Sequence, residues 1–514
     1  MENKNLTPKK IYEQYKKGVS YNESIDLYNT VNKNENFFIG KQWEGVDAPD
    51  LDKPVFNILK RVSNMFVSMI VSDDITASIS PYGESEYTDK IAKVAQREIL
   101  KTIEYAKLKH KNREVLKDAC VDGDGCLYFY FDQAAKTGQA AEGFINANVV
   151  DNTNIIFANT SSADVQSQPY IIIIARKPLG DVIRMARGFG ASEEIISQIK
   201  PQKAEENFYG SDTEGEAVSV FYRFYKENGR VYASISTEDV FLKPPFDTTL
   251  KLYPIAYFNW ERVKNSYHGQ AAVTELIPNQ IFINKCYAMG MDYVKKLAFP
   301  KLIYDINRFP NGFSNKIGEA ICVEGGINDA VTSAFKMPDM SGQVMELVEK
   351  TMVYTKEYMG TSDASLGNVR PDNASAIIAA QKASNAPLEL IKLSFYQMVE
   401  DYIRIILDMM GAYYGVREVI ADEPDGDTNT ELFDFSSVRE IEYNLDVNIG
   451  AATYWSEIMQ IQTADNLFTK GIITDPVVYL NSIPDGYIRN KQKIIADIEK
   501  NMQSGMENEQ MGIN

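Results

Sequence analysis

From Phe56 the apolar residues fall at positions 58, 59, 62, 65, 66, 69 and 70, the three-and-four spacing of an amphipathic helix. Before it, residues 5–37 read as a polar, largely helical arm, and Gly40, Gly45, Pro49 and Pro54 punctuate the loop between. Residues 86–118 read as one charged, amphipathic helix. "VDGDGCLYFYFD" (121–132) is a turn and then a strand. "YIIIIARKP" (170–178) is a continuous β-branched run, the mark of a buried strand. Two strand-like runs in "VSVFYRFYKENGRVYASIS" flank Asn228-Gly229, a pair suited to a type I′ hairpin turn. The first 260 residues thus mix helix and sheet, which predicts an α+β fold.

The pattern then changes. Residues 276–299 form a helix that can start at Pro278, where a first-turn proline is tolerated. A segment of short strands and Pro, Asn-Gly and Gly-Gly turns follows, and then a second helix with Val344, Leu347, Val348 and Met352 on one face. A long polar loop begins at Gly360, and Asp372 or Asn373 would cap the helix after it. Residues 386–415 make a helix apolar on most sides, with Glu400, Asp401, Arg404 and Asp408 on what is left. Residues 422–427 are a solvated turn, and "REIEYNLDVNIG" (439–450) is a strand. Asp475-Pro476 starts a short helix, Asp485-Gly486 precedes a last one, and the final dozen residues are polar and frayed.

Composition adds limits. The chain has 514 residues, 44% of them hydrophobic, which predicts a folded protein with a large core. Its net charge of −18 is unlike that of a protein that grips DNA by releasing counterions. Cys120, Cys126, Cys286 and Cys322 include no CxxC pair, so zinc is not expected and reduced thiols are. The opening residues lack the apolar core of a signal peptide, and no uncharged apolar run is long enough to span a membrane.

Catalytic patterns are not met. His110 and His268 are the two histidines, both read as solvated surface residues. Gly360-Thr361-Ser362-Asp363-Ala364 fails as a nucleophile elbow, because Ala364 replaces the second glycine and the preceding segment is helical. Cys126 breaks the calcium-loop pattern begun by Asp122-Gly123-Asp124-Gly125. No phosphate-binding P-loop is present, and the acidic pairs Asp73-Asp74 and Glu193-Glu194 read as solvated. No enzyme activity, cofactor or metal is expected. A metal-dependent nuclease using such acidic pairs is the remaining catalytic alternative.

Together these stretches resemble the portal proteins of tailed bacteriophages. Phe37-Phe38-Ile39-Gly40-Lys41-Gln42-Trp43 followed by Lys53-Pro54-Val55-Phe56-Asn57 is similar to that family's aromatic-x-Gly-x-Gln-Trp and Pro-x-x-Asn signature. Asn279-Gln280 to Asn284-Lys285, then Pro300-Lys301, resembles the first stem helix and its exit into the clip. Asn373-Ala374-Ser375-Ala376-Ile377 resembles the start of the helix after the tunnel loop. The resemblance covers about residues 40–450.

It implies an arm and wing at 1–270, stem helix 1 at 271–297, the clip at 298–340 and stem helix 2 at 341–360. The tunnel loop and following helix start would occupy 361–385, the long wing helix and wing strands 386–450, and a helical crown 451–514. It further implies a ring, usually of twelve copies, at one capsid vertex of the virion, made in the host cytoplasm. Double-stranded DNA would pass through it without sequence reading, with Asn368, Arg370 and Asn373 as DNA-facing residues. Lys301, Arg308 and Lys316 would belong to the docking surface for the terminase large subunit and later the head-tail adaptor. The capsid protein or scaffold would surround the ring. Another head-completion or scaffolding protein is the alternative within the structural class.

Overall fold

The structure is a computed structural model. It describes residues 6–498 apart from 50, 72–74, 84, 140, 202–216, 299–301, 305–331, 335–341, 359–387, 423–427, 450–460, 484–486, 489–490, 492–493 and 496–497. Two helices open the chain, α1 (Pro8–Ser24) and α2 (Leu27–Ile39), followed by α3 (Ile58–Ile70), β1 (Ile75–Pro81), α4 (Glu86–Tyr105) and α5 (Leu108–Asp122). Strands β2 (Asp124–Asp132), β3 (Phe144–Val149), β4 (Ile155–Phe157) and β5 (Tyr170–Pro178) lead to α6 (Leu179–Gly188) and α7 (Glu193–Ser197). Next come β6 (Ala217–Glu227), β7 (Arg230–Ser236), β8 (Phe241–Asp247), β9 (Ile255–Asn259) and the helix α8 (Ala272–Ala298). The rest is β10 (Leu302–Tyr304), β11 (Thr332–Ala334), α9 (Gly342–Tyr358), α10 (Glu389–Tyr413), β12 (Val416–Asp422), β13 (Thr428–Asp434), β14 (Tyr443–Ile449) and α11 (Pro476–Ser482). The mixture is the α+β one expected.

Strands β4 to β8 form an antiparallel meander in chain order. Asn228 and Gly229 both hold positive φ, 52° and 75°, as a type I′ turn requires. The β-branched run in β5 is continuous because both its faces are covered. Ile172 and Ile174 pack with Ile11, Tyr15 and Val19 of α1, whereas Ile171 and Ile173 join the main core. The polar segment 5–37 is therefore helical, as read, but α1 lies against the sheet. Gly18 permits the approach: a Cβ there would sit 2.2 Å from Cγ2 of the buried Ile156.

The main core fills the space between α5, the sheet β3-β2-β9 and α10. Phe395, Met398, Tyr402, Ile403, Ile406 and Met410 of α10 are each at most 1% exposed, which explains a helix apolar on most sides. Asp408, one of the charged residues on the remaining side of α10, is inside. Its carboxylate accepts from the Lys251 and Leu252 N–H groups at 2.7 and 3.0 Å and pairs with Arg439 at 2.7 Å. The strand at 443–449 pairs antiparallel with β1, Ile75 opposite Ile449, and so joins the two ends of the fold.

Three local expectations give way to packing. Residues 86–118 are two helices, broken where Lys107 takes φ 53°; the break lets Ala106 and Leu108 both be buried. The helix expected from Pro278 begins at Ala272, because Val273, Leu276 and Ile277 are buried, and this burial outweighs an internal proline. His268 is 3% exposed instead of solvated. His110 is a surface residue as read, 3.2 Å from Glu114. The three described cysteines, Cys120, Cys126 and Cys286, are free thiols. Asp475 caps the helix that begins at Pro476, its carboxylate accepting from the Val477 N–H at 2.8 Å.

Candidate functional site

Helices α8 and α9 lie antiparallel, with the antiparallel pair β10-β11 between them in sequence. Their order of contact shows the direction: Asn279 Nδ2 donates to Thr355 Oγ1 at 3.2 Å, while Tyr287 Oη lies 3.9 Å from Met352 Sδ. Ile283, Ala288 and Val348 are buried. Leu347, grouped with Val348 from the sequence, is 52% exposed.

The root of this helix pair is a chain of buried amides. Gly40 ends α2 at φ 98°, its N–H turning back to the Phe37 carbonyl at 3.3 Å while the Lys41 N–H takes that of Asn36 at 2.8 Å, and side chains add to these bonds. Gln42 Nε2 donates to the Phe37 carbonyl at 2.9 Å, and Asn57 Nδ2 donates to that of Phe38 at 2.9 Å. Asn57 also caps α3, its Oδ1 accepting from the Lys60 N–H at 3.0 Å. Gln280 of α8 completes that cap from a distant part of the chain. Its Oε1 accepts from the Ile58 N–H at 3.0 Å, and its Nε2 donates to the Phe56 carbonyl at 2.7 Å and to Asn284 Oδ1 at 3.0 Å. Asn284 Nδ2 in turn donates to Gln42 Oε1 at 2.6 Å. Trp43 Nε1 donates to the Pro54 carbonyl at 2.8 Å and closes the loop. Two helix ends and α8 therefore satisfy one another.

A second network holds the start of α8. Asp124 Oδ1 accepts from Asn259 Nδ2 at 2.7 Å and from the Gly269 N–H at 2.6 Å, and Asp124 Oδ2 lies 2.6 Å from His268 Nδ1. His268 Nε2 is 3.1 Å from Asn22 Oδ1 of α1. Burial first, and then the Asp124 charge, push the Tyr257 and Tyr267 hydroxyls well above their ordinary range. Asp124, read as part of a plain turn, is thus a buried anchor.

Close by, burial together with Glu35, Asp118 and Asp151 pushes the Asp122 carboxyl up to about 9, and Oδ1 of Asp122 has no hydrogen-bond partner. Burial and the same acidic neighbourhood push Asp118 up to about 7. Among the described residues, no group of His, Cys, Asp or Glu could hold a metal ion. Glu193 opens α7 and pairs with Arg187 at 3.2 Å, whereas Asp73 and Asp74 lie outside the described residues.

The DNA-facing residues expected from the sequence, Asn368, Arg370 and Asn373, lie outside the described residues. So do Lys301, Arg308, Lys316 and Ser362, and most of the last helix expected after Gly486. The quoted signature residues do come together: Gln42, Asn57, Gln280 and Asn284 share one network, and Trp43 bonds to the Pro54 carbonyl beside it. Sequence reasoning gave them no role and missed Asp124 with His268. The available signal for the first set was Gln280 and Asn284, two amides one turn apart in an apolar helix. For the second it was a histidine beside a glycine in a chain with only two histidines.

Among the described residues, the two amide and carboxylate networks join helices to one another and to the sheet. A family model for the phage P22-like portal proteins matches residues 14–427, and the chain belongs to that family. It is a portal protein of a tailed phage and hence a virion component. A search of curated proteins gave no match. No helix among the described residues is long and apolar enough to cross a membrane.

Removing one amide tests the root. Gln280→Ala removes the part-buried bonds to the Phe56 carbonyl and the Ile58 N–H, which keep their own 2.8 Å bond to each other, so urea unfolding of the purified chain should show a loss of about 1–2 kcal/mol. A change within error would remove the network from any supporting role. The acidic cluster predicts a pH effect with a definite sign. A carboxyl raised from 3.8 unfolded to about 9 folded stabilises the folded state below the lower value, and that contribution is lost as pH rises toward the upper one. Asp122→Asn should therefore leave Tm unchanged near pH 4 and raise it progressively up to about pH 9. Parallel Tm curves for the two proteins would refute this.

Proposed function

We propose that this chain is the subunit of a ring, near twelve-fold, through which double-stranded phage DNA is packaged and ejected. One observation supports the ring most directly. Both helices of the α8–α9 pair leave large apolar side chains open in the single chain: Met289 is 68% exposed, Val294 60%, Leu347 52% and Tyr354 61%. Side chains of this kind on one helical hairpin call for cover by a neighbour, and copies of the same hairpin in a closed ring supply it.

In this reading α8 and α9 are the stem and residues 298–340 the clip, which meets the terminase large subunit and later the head-tail adaptor, with Lys301, Arg308 and Lys316 in its surface. The segments before 271 and from 386 to 450 are the wing, set against the capsid protein or scaffold, and 451–514 is the crown. Portal proteins are structural, so the motor is a partner. The chain is made in the host cytoplasm before it enters the capsid. The acidity of the chain suits a conduit, since twelve copies at −18 carry 12 × −18 = −216 formal charges and DNA should slide rather than stick. Residues 361–385 hold the tunnel loop and the start of the next helix, and Asn368, Arg370 and Asn373 touch phosphates weakly as DNA moves past.

The ring is tested with Met289→Glu and Leu347→Glu in one chain. Native mass spectrometry should find wild-type rings and a shift of the double variant to monomers; a wild type that stays monomeric under all conditions overturns the proposal. The loop is tested separately with Arg370→Ala, which should assemble normally but yield fewer DNA-filled capsids. Normal filling and retention would remove Arg370 from the DNA path.

A further inference from the structure

Between the two larger sheets lies a cleft of about 330 Å³ that the portal reading does not use. Its walls include Tyr128 and Tyr130 of β2, Tyr222 and Phe224 of β6, and Lys243 and Phe246 of β8. The rings are already ordered against one another. Tyr128 lies 5.9 Å from Tyr130 in a stacked arrangement, 5.6 Å from Phe224 and 6.5 Å from Tyr222, centroid to centroid. Such spacing leaves ring faces and edges of the kind that receive another aromatic ring in offset or edge-on contact.

The wall carries one cation, Lys243, and one carboxylate, Asp247. Lys243 Nζ sits 3.6 Å from the centroid of Phe246 and 5.2 Å from that of Phe189. Among the described residues no carboxylate pairs with it, and the nearby Asp247 is engaged by Arg230 at 3.1 Å. Burial pulls the Lys243 pKa down, which is the mark of an ammonium short of compensation. Ring faces supply part of that compensation, and an anion would supply more.

We infer that this cleft binds a small aromatic monoanion, its ring packed against Tyr128, Tyr222 and Phe246 and its carboxylate or sulfonate paired with Lys243. The volume is at the lower end for ligand cavities, which limits the body to one or two rings. The inference is independent of the ring and of the tunnel loop.

The probe is 2-naphthoate, compared with the neutral 2-naphthamide, titrated calorimetrically into the full-length protein. Wild type should bind one naphthoate per subunit saturably and the amide about tenfold more weakly, the difference expected for one half-buried charged contact. Lys243→Gln should weaken naphthoate about tenfold and leave the amide unchanged, and the surface control Arg184→Gln should change neither. Absence of saturable naphthoate binding overturns the inference, as does equal affinity of the wild type for the two probes. The latter comparison needs no variant, so it decides the matter even if Lys243→Gln folds poorly.

Discussion

A helix buried at its end must find partners for backbone groups that the helix itself leaves unpaired. In this protein side chains from distant parts of the chain help meet that constraint where α2 ends and α3 begins, and the placement of α8 depends on it. The end of α2 and the start of α3 meet α8 at part-buried positions. Gln42, Asn57, Gln280 and Asn284 satisfy the exposed carbonyls and N–H groups between them. The α8–α9 pair is therefore rooted through a chain of amides in the N-terminal helices, beyond whatever apolar packing it shares with them.

The Asp124–His268 network serves the same end by other chemistry. It gathers α1 through Asn22, the start of β2 through Asp124, and the turn before α8 through Gly269 and His268. A buried carboxylate costs free energy unless its oxygens are occupied. Here Asp124 Oδ1 accepts from Asn259 and the Gly269 N–H, and Oδ2 accepts from Asn152 at 3.3 Å and lies 2.6 Å from His268 Nδ1. The network thus couples the register of β2 to the direction in which α8 leaves the fold. Asp408 repeats the solution on α10, where it receives two backbone N–H groups and Arg439. Asp124, His268 and Asp408 are thus buried where elements meet.

Much of the fold was legible because its signals are local. The β-branched run of β5, the Asn228-Gly229 turn, the Asp475 cap and the apolar sides of α10 each show in a few neighbouring residues, and each is where it was expected. So was the order of helix, short strands and helix around β10 and β11. The signature residues at 37–57 and 279–285 identified the family without revealing why those residue types are needed. Their reason is a contact across more than two hundred residues, with Gln280 of α8 bonded to the backbone at Phe56 and Ile58. Periodicity carries no information about such a contact.

The amino-acid sequence by itself determined the α+β class, the type and order of the long elements and the portal family. Those follow from propensity, period and ordered motifs, all of them properties of neighbouring residues. Tertiary structure alone decided that residues 86–118 bend at Lys107, that α1 lies against the β4–β8 sheet and that His268 and Asp408 are inside. In each case a local preference met a larger opposing term. Burial of apolar side chains on both sides of a break outweighs the cost of the distortion. A histidine or aspartate enters the interior only where donors and acceptors from other elements await it, and their positions exist only once the chain has folded.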